Sequence, residues 1–142
     1  MQKILPLILA ILLTGCDSLK SNGITFNDLT VYAPRAGSRV TAGFTNIINK
    51  SADAVTITSI SSPQFNIVEI HETAIINGVA RMVKIEALTI PEHQSIALKP
   101  GGKHLMLIDP KKFITEGEEI NLIIELSRNE TVTLSTSAVS RF

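Results

Sequence analysis

From residue 24 onward, apolar and polar side chains alternate along most of the chain with a period of two. That period is typical of a β-strand with one buried face and one solvated face. Turn-forming residues interrupt the alternation at short intervals, for example at Pro34, Pro63 and Pro100-Gly101-Gly102. No segment carries an apolar stripe at helical spacing. The sequence therefore predicts an all-β protein of about eight or nine short strands, arranged as a β-sandwich or Greek-key barrel.

The predicted strand boundaries follow from where the alternation begins and ends. They are residues 24–33, 38–48, 55–60, 67–75, 79–86, 95–98, 104–108, 119–127 and 131–139. The last two strands are expected to pair across Arg128-Asn129-Glu130, and a polar loop is expected at Pro91-Glu92-His93.

The first fifteen residues resemble a lipoprotein signal peptide. Lys3 precedes an apolar run over residues 4–13, which is shorter than the roughly 20 residues that a membrane span needs. The run ends in Leu13-Thr14-Gly15-Cys16, which is similar to the bacterial lipobox, where the cysteine is acylated and becomes the mature N-terminus. The alternative is an ordinary secretion signal with an incidental cysteine.

These features predict three segments: a signal peptide at 1–15, a lipidated N-terminus and tether at 16–23, and one domain at 24–142. Asp17 resembles the residue that retains some Gram-negative lipoproteins in the inner membrane. The expected location is therefore the periplasm, with a membrane anchor. Lys plus Arg and Asp plus Glu both number 13, so no basic field exists to attract nucleic acid.

Four side chains in the middle of the chain are ligands that a soft metal ion prefers. They are His71, Met82, His104 and Met106. Imidazole nitrogen and thioether sulfur together suit monovalent copper, whereas magnesium and calcium require oxygen ligands. His93, in the predicted polar loop, is expected to be solvated rather than a ligand.

The strand pattern predicts two pairings among these four residues. Asn77-Gly78 is a strong signal for a two-residue hairpin, which places Thr73 opposite Met82 and makes His71 a diagonal neighbour of Met82 on one face. Diagonal neighbours lie roughly 7–8 Å apart, within reach of two long side chains. His104 and Met106 are two residues apart on one strand, so they also share a face.

Each residue also has a simpler interpretation when it is taken alone. Met106 lies between Leu105 and Leu107 and would then be part of the core. Met82 would be a tolerated surface methionine, His71 a polar residue on the open face, and His104 a turn residue. The joint pattern of four soft ligands with two geometric pairings favours a metal site.

The spacing of the four residues, H-x10-M-x21-H-x-M, resembles the motif of the PCu(A)C periplasmic copper chaperones. The turn Lys99-Pro100-Gly101-Gly102 before His104 is similar as well, while Thr73 and Ala80 occupy positions where many members carry a further methionine. The resemblance implies a cupredoxin-like Greek-key sandwich that binds one Cu(I) through the two histidines and two methionines. It also implies delivery to a cuproprotein, such as the CuA subunit of cytochrome oxidase or another copper chaperone.

Three other functions are compatible with an all-β chain. A blue-copper electron carrier needs a cysteine thiolate beside its histidines, and the only cysteine lies in the lipobox. A hydrolase is not indicated, since the zinc motif H-E-x-x-H fails at Ile75 and no nucleophile signature is present, so no enzyme activity is expected. A metal-free structural or adhesive sandwich remains the alternative, and it would make the motif spacing a coincidence.

Overall fold

The structure is a computed structural model, and it describes residues 23–141. Ten antiparallel strands form two sheets, which confirms the predicted all-β, cupredoxin-like sandwich. The strands are β1 Ile24–Val31, β2 Val40–Asn49, β3 Val55–Ser61, β4 Phe65–Ile76, β5 Val79–Ile85, β6 Leu88–Ile90, β7 Ser95–Leu98, β8 Lys103–Pro110, β9 Glu119–Leu126 and β10 Glu130–Ser137. The predicted signal peptide, Cys16 and Asp17 lie outside the described residues.

The two sheets pack face to face around one apolar core. The larger sheet has the order β1-β2-β8-β4-β5, with β7 also paired to β2, and the smaller has the order β10-β9-β3-β6. Alternate residues of the central strands point inward, so that Leu105 and Leu107 of β8 are buried, as are Leu122 and Ile124 of β9. The other face of β8 is therefore free to carry polar and sulfur-containing side chains.

The β4–β5 hairpin has the register that its turn sequence predicts. Asn77 and Gly78 have φ values of 52° and 76°, as a type I′ turn requires at both central positions. Ile76 consequently pairs with Val79. The strand β5 lies at one edge of the larger sheet, and most of its side chains are exposed.

One strand was missed by the sequence prediction. Three residues form β6, which pairs with β3, and its first and last side chains, Leu88 and Ile90, are buried. Three residues are too few to display an alternating pattern, so only tertiary packing identifies this strand.

His93 lies in the exposed turn that follows β6, as predicted. Within residues 23–141, no helix is long and apolar enough to cross a membrane.

Candidate metal centre

The strand β8 separates its core residues from its candidate ligands by simple alternation. Leu105 and Leu107 point into the core, whereas His104 and Met106 lie on the opposite face of the sheet. Met106 is only partly buried, so the interpretation of this residue as a core methionine is wrong. The turn before β8, in which Gly101 adopts a φ of 79°, sets the start of the strand at Lys103.

His71 lies directly opposite His104 in the antiparallel pairing of β4 with β8. The centroids of the two imidazole rings are 6.2 Å apart, and the ring planes are inclined by 42°. A metal–imidazole bond is about 2 Å long, so rings at this separation can bind one ion placed between them. The sequence predicted that each histidine shares a face of the sheet with a methionine, and the structure adds that the two histidines lie opposite each other.

Hydrogen bonds define which ring nitrogens are available to a metal ion. The Nε2 atom of His71 lies 2.8 Å from Oε2 of Glu69, and Nδ1 of His104 lies 3.0 Å from the carbonyl oxygen of Gly102. Carboxylate and carbonyl oxygens only accept, so these two nitrogens carry the hydrogens and donate. The lone pairs therefore reside on Nδ1 of His71 and on Nε2 of His104.

The Nδ1 atom of His71 is buried and has no hydrogen-bond partner. Buried polar atoms are rarely left in this state, because each one loses its hydration without compensation. The side chain of His71 is 14% exposed, and His104 is 6% exposed. A cation bound between the rings would satisfy the unpaired nitrogen.

Glu69 fixes the orientation of the His71 ring. The hydrogen bond from His71 is the main cause that lowers the pKa of Glu69, and the nearby Lys84 ammonium, 3.3 Å away, lowers that pKa further. Burial acts in the opposite direction but is outweighed. Glu69 therefore remains an ionised acceptor at neutral and mildly acidic pH. The stabilisation it contributes is present above its ordinary pKa and is lost as the pH falls through the lowered value.

Met82 reaches the same site from the edge strand β5. It pairs with Thr73, as predicted, and is 61% exposed. Met82, His104 and Met106 line one cavity of about 300 Å³, which also has Arg35 and Arg141 in its wall. His71 is not part of this wall but lies beside it, opposite His104. The four candidate residues are therefore on one face of the larger sheet, and three of them share the cavity.

The donor set of the site is nitrogen and sulfur. Within residues 23–141, no group of three or more His, Cys, Asp or Glu side chains could hold a metal ion. Two imidazoles and two thioethers are a combination that suits a soft monovalent ion.

Sequence reasoning missed the hydrogen bond from His71 to Glu69 and both arginines. Only the hydrogen bond could have been predicted from the sequence, because Glu69 and His71 are two residues apart on one strand and therefore share a face.

Comparison with known proteins assigns the chain to a family. Residues 24–138 match the family model described as "Putative lipoprotein LpqE-like", so the chain belongs to the LpqE-like family. It is 28% identical over 130 residues to "Putative lipoprotein Lxx21020" of Leifsonia xyli subsp. xyli (strain CTCB07), a match that covers 84% of this chain and 77% of that protein.

Solved structures of PCuAC domains have the same fold. The copper-bound PCuAC domain from PmoF2 superposes with a TM-score of 0.70 at 18% identity, covering 84% of this chain and 94% of that one. The solution structure of CuI-DR1885 from Deinococcus radiodurans gives 0.68 at 22% identity, covering 89% and 85%. The resemblance to the PCu(A)C family is thus confirmed at the level of the fold.

Proposed function

We propose that this protein is a periplasmic copper carrier that binds one Cu(I) through His71, Met82, His104 and Met106. The observation that carries the proposal is the buried, unpaired Nδ1 of His71 opposite His104. Two methionines on the same face supply the soft ligands. The names of the copper-bound PmoF2 domain and of CuI-DR1885 support copper as the metal.

The ligand set suits transport rather than catalysis. Thioethers bind Cu(I) without forming disulfides in an oxidising compartment, and neither ligand type carries a charge that would trap the ion. Met82 lies on the edge strand and is largely exposed, so an acceptor can approach this ligand from solvent. The recipient that we favour is the CuA subunit of cytochrome oxidase or another copper chaperone. An assay of oxidase activity in a deletion strain grown on limiting copper tests that assignment.

The anchor is part of the same proposal. Cys16 would be acylated and would hold the domain at the periplasmic face of the inner membrane, in keeping with the lipoprotein names of the family and of the Leifsonia relative. Recovery of the mature protein without acyl chains, judged by its mass, would exclude the anchor.

X-ray absorption of the copper-loaded domain tests the ligand set directly. We expect one Cu(I) per chain and a first shell that contains both nitrogen and sulfur scatterers, because imidazole and thioether bind together. Zinc should compete poorly, since thioether is a weak zinc ligand and no carboxylate or thiolate completes the set. A protein that takes up no copper would instead be a structural or adhesive sandwich, and a shell of nitrogen and oxygen alone would exclude the methionines.

Glu69→Gln should weaken Cu(I) binding by about 10- to 100-fold, the usual cost of removing an outer-shell partner of a ligating histidine. The amide loses the charge that favours the Nε2–H tautomer of His71. Glu86→Gln is the matched control, because Glu86 also pairs with Lys84, at 3.1 Å, and forms no hydrogen bond with His71. Competition against a Cu(I) chelator measures both variants. Equal affinities for the two would show that Glu69 does not orient the site.

A further inference from the structure

Two arginines line the candidate copper cavity, and no acidic residue among residues 23–141 lines it. Arg35 and Arg141 are both exposed and both form part of the cavity wall beside Met82, His104 and Met106. Among residues 23–141, neither guanidinium has an ion-pair partner. Lys84, on the same face of the sheet, differs from them because its ammonium contacts Glu69 and Glu86.

The fold holds Arg141 at this position through the segment that follows β10. Val139 donates its backbone hydrogen to the carbonyl of Val31 and accepts one from Ala33, at 2.9 and 2.8 Å. Two residues later, the guanidinium carbon of Arg141 lies 4.7 Å from the centroid of the Tyr32 ring, a cation–π contact. Arg35 approaches from the turn between β1 and β2. The two positive charges thus reach the cavity from different parts of the chain.

Positive charge beside a cation site does not help that site to bind its cation. Like charges repel, and the repulsion acts on copper in either oxidation state. The arginines are therefore better explained by something that approaches the cavity from outside. A planar guanidinium donates paired hydrogen bonds to a carboxylate, and unpaired exposed arginines attract anions over a distance set by ionic strength.

We propose that Arg35 and Arg141 form a docking surface for an acidic copper acceptor, a protein that carries carboxylates around its own copper-binding residues. This inference rests on the proposed function. Electrostatic attraction would steer the acceptor to the open side of the cavity, where Met82 is exposed, and would raise the rate of encounter more than the final affinity. The charge on the two arginines would thus speed the transfer of copper to the acceptor.

Stopped-flow transfer of Cu(I) from the loaded protein to synthetic acceptor peptides tests this proposal. The peptides share one methionine-rich copper site and differ only in flanking residues, which are Glu, Gln or Lys. Transfer to the Glu peptide should slow by about tenfold as salt rises and the Debye length falls from about 30 Å at 0.01 M to about 3 Å at 1 M. The variant Arg35→Gln/Arg141→Gln should lose most of that salt dependence with the Glu peptide, whereas with the Gln peptide its salt dependence should equal that of wild type.

The control variant is Arg81→Gln/Lys50→Gln, which removes the same charge from exposed positions outside the cavity wall. It should retain the salt dependence of the wild type. Equal salt dependence in both double variants, or equal slowing by salt with the Glu and Gln peptides, would overturn the docking surface. It would also be overturned if Arg35→Gln/Arg141→Gln lost the binding of wild type to anionic lipid vesicles while its copper transfer to the peptides stayed unchanged. A direct titration comes first, and a wild-type protein that binds no Cu(I) would remove the proposed function and this inference together.

Discussion

Met82→Leu and Met106→Leu are each expected to weaken Cu(I) binding by roughly 100-fold. Loss of an outer-shell partner alone costs about 10- to 100-fold, and loss of a direct ligand should cost at least the upper value. Both changes delete a thioether that monovalent copper prefers, while leucine keeps about the same volume. Binding of Cu(II) should fall much less, because Cu(II) relies on the harder imidazoles. Competition against a Cu(I) chelator and, separately, a Cu(II) chelator measures the two affinities.

The histidine variants complete this comparison. His71→Ala and His104→Ala should weaken the binding of both oxidation states, because imidazole serves each of them. Thr73→Val is a suitable control, since Thr73 pairs with Met82 on the same face and is not a predicted ligand. If the methionine variants lose Cu(I) and Cu(II) equally, the mixed nitrogen and sulfur site is wrong, even if the protein binds copper elsewhere.

The parts of the site that depend on local sequence were predictable. The Asn77-Gly78 turn fixes the register of its own hairpin, so the position of Met82 opposite Thr73 could be read from the sequence. Alternation along a single strand was sufficient to place His104 and Met106 on one face. These predictions needed no knowledge of how distant strands pair.

The contact between the two histidines could not be obtained in this way. β4 and β8 are neighbours in the sheet but are separated in the chain by β5, β6 and β7. The register of such a pair is set by which face is buried against the other sheet. The position of Arg141 could not be predicted either, because it depends on a contact between distant parts of the chain. Val139 pairs with Tyr32, just after β1. The charge around the cavity therefore has no signature in the spacing of the motif.

Leu107→Ala should destabilise the domain by about 3 kcal/mol, within the usual range for a large-to-small change in a core. Leu107 is fully buried in β8, which pairs with both β2 and β4, so the surrounding strands are constrained and are expected to leave a cavity. The neighbouring change Met106→Leu should cost less than about 1.5 kcal/mol, because it conserves volume at a partly buried position. Urea unfolding with an unchanged slope measures both values.

The two variants on β8 should have opposite effects on stability and on copper. Leu107→Ala should still bind one Cu(I) per folded chain, since its side chain points away from the face that carries His104 and Met106. Met106→Leu should remain nearly as stable as wild type and bind Cu(I) poorly. Met106→Ala separates size from chemistry: a destabilisation as large as that of Leu107→Ala would mean that the outer face of β8 depends on Met106 for packing. Retained stability with lost Cu(I) would instead assign the outer face of β8 to the metal, because adjacent residues of one strand serve opposite faces.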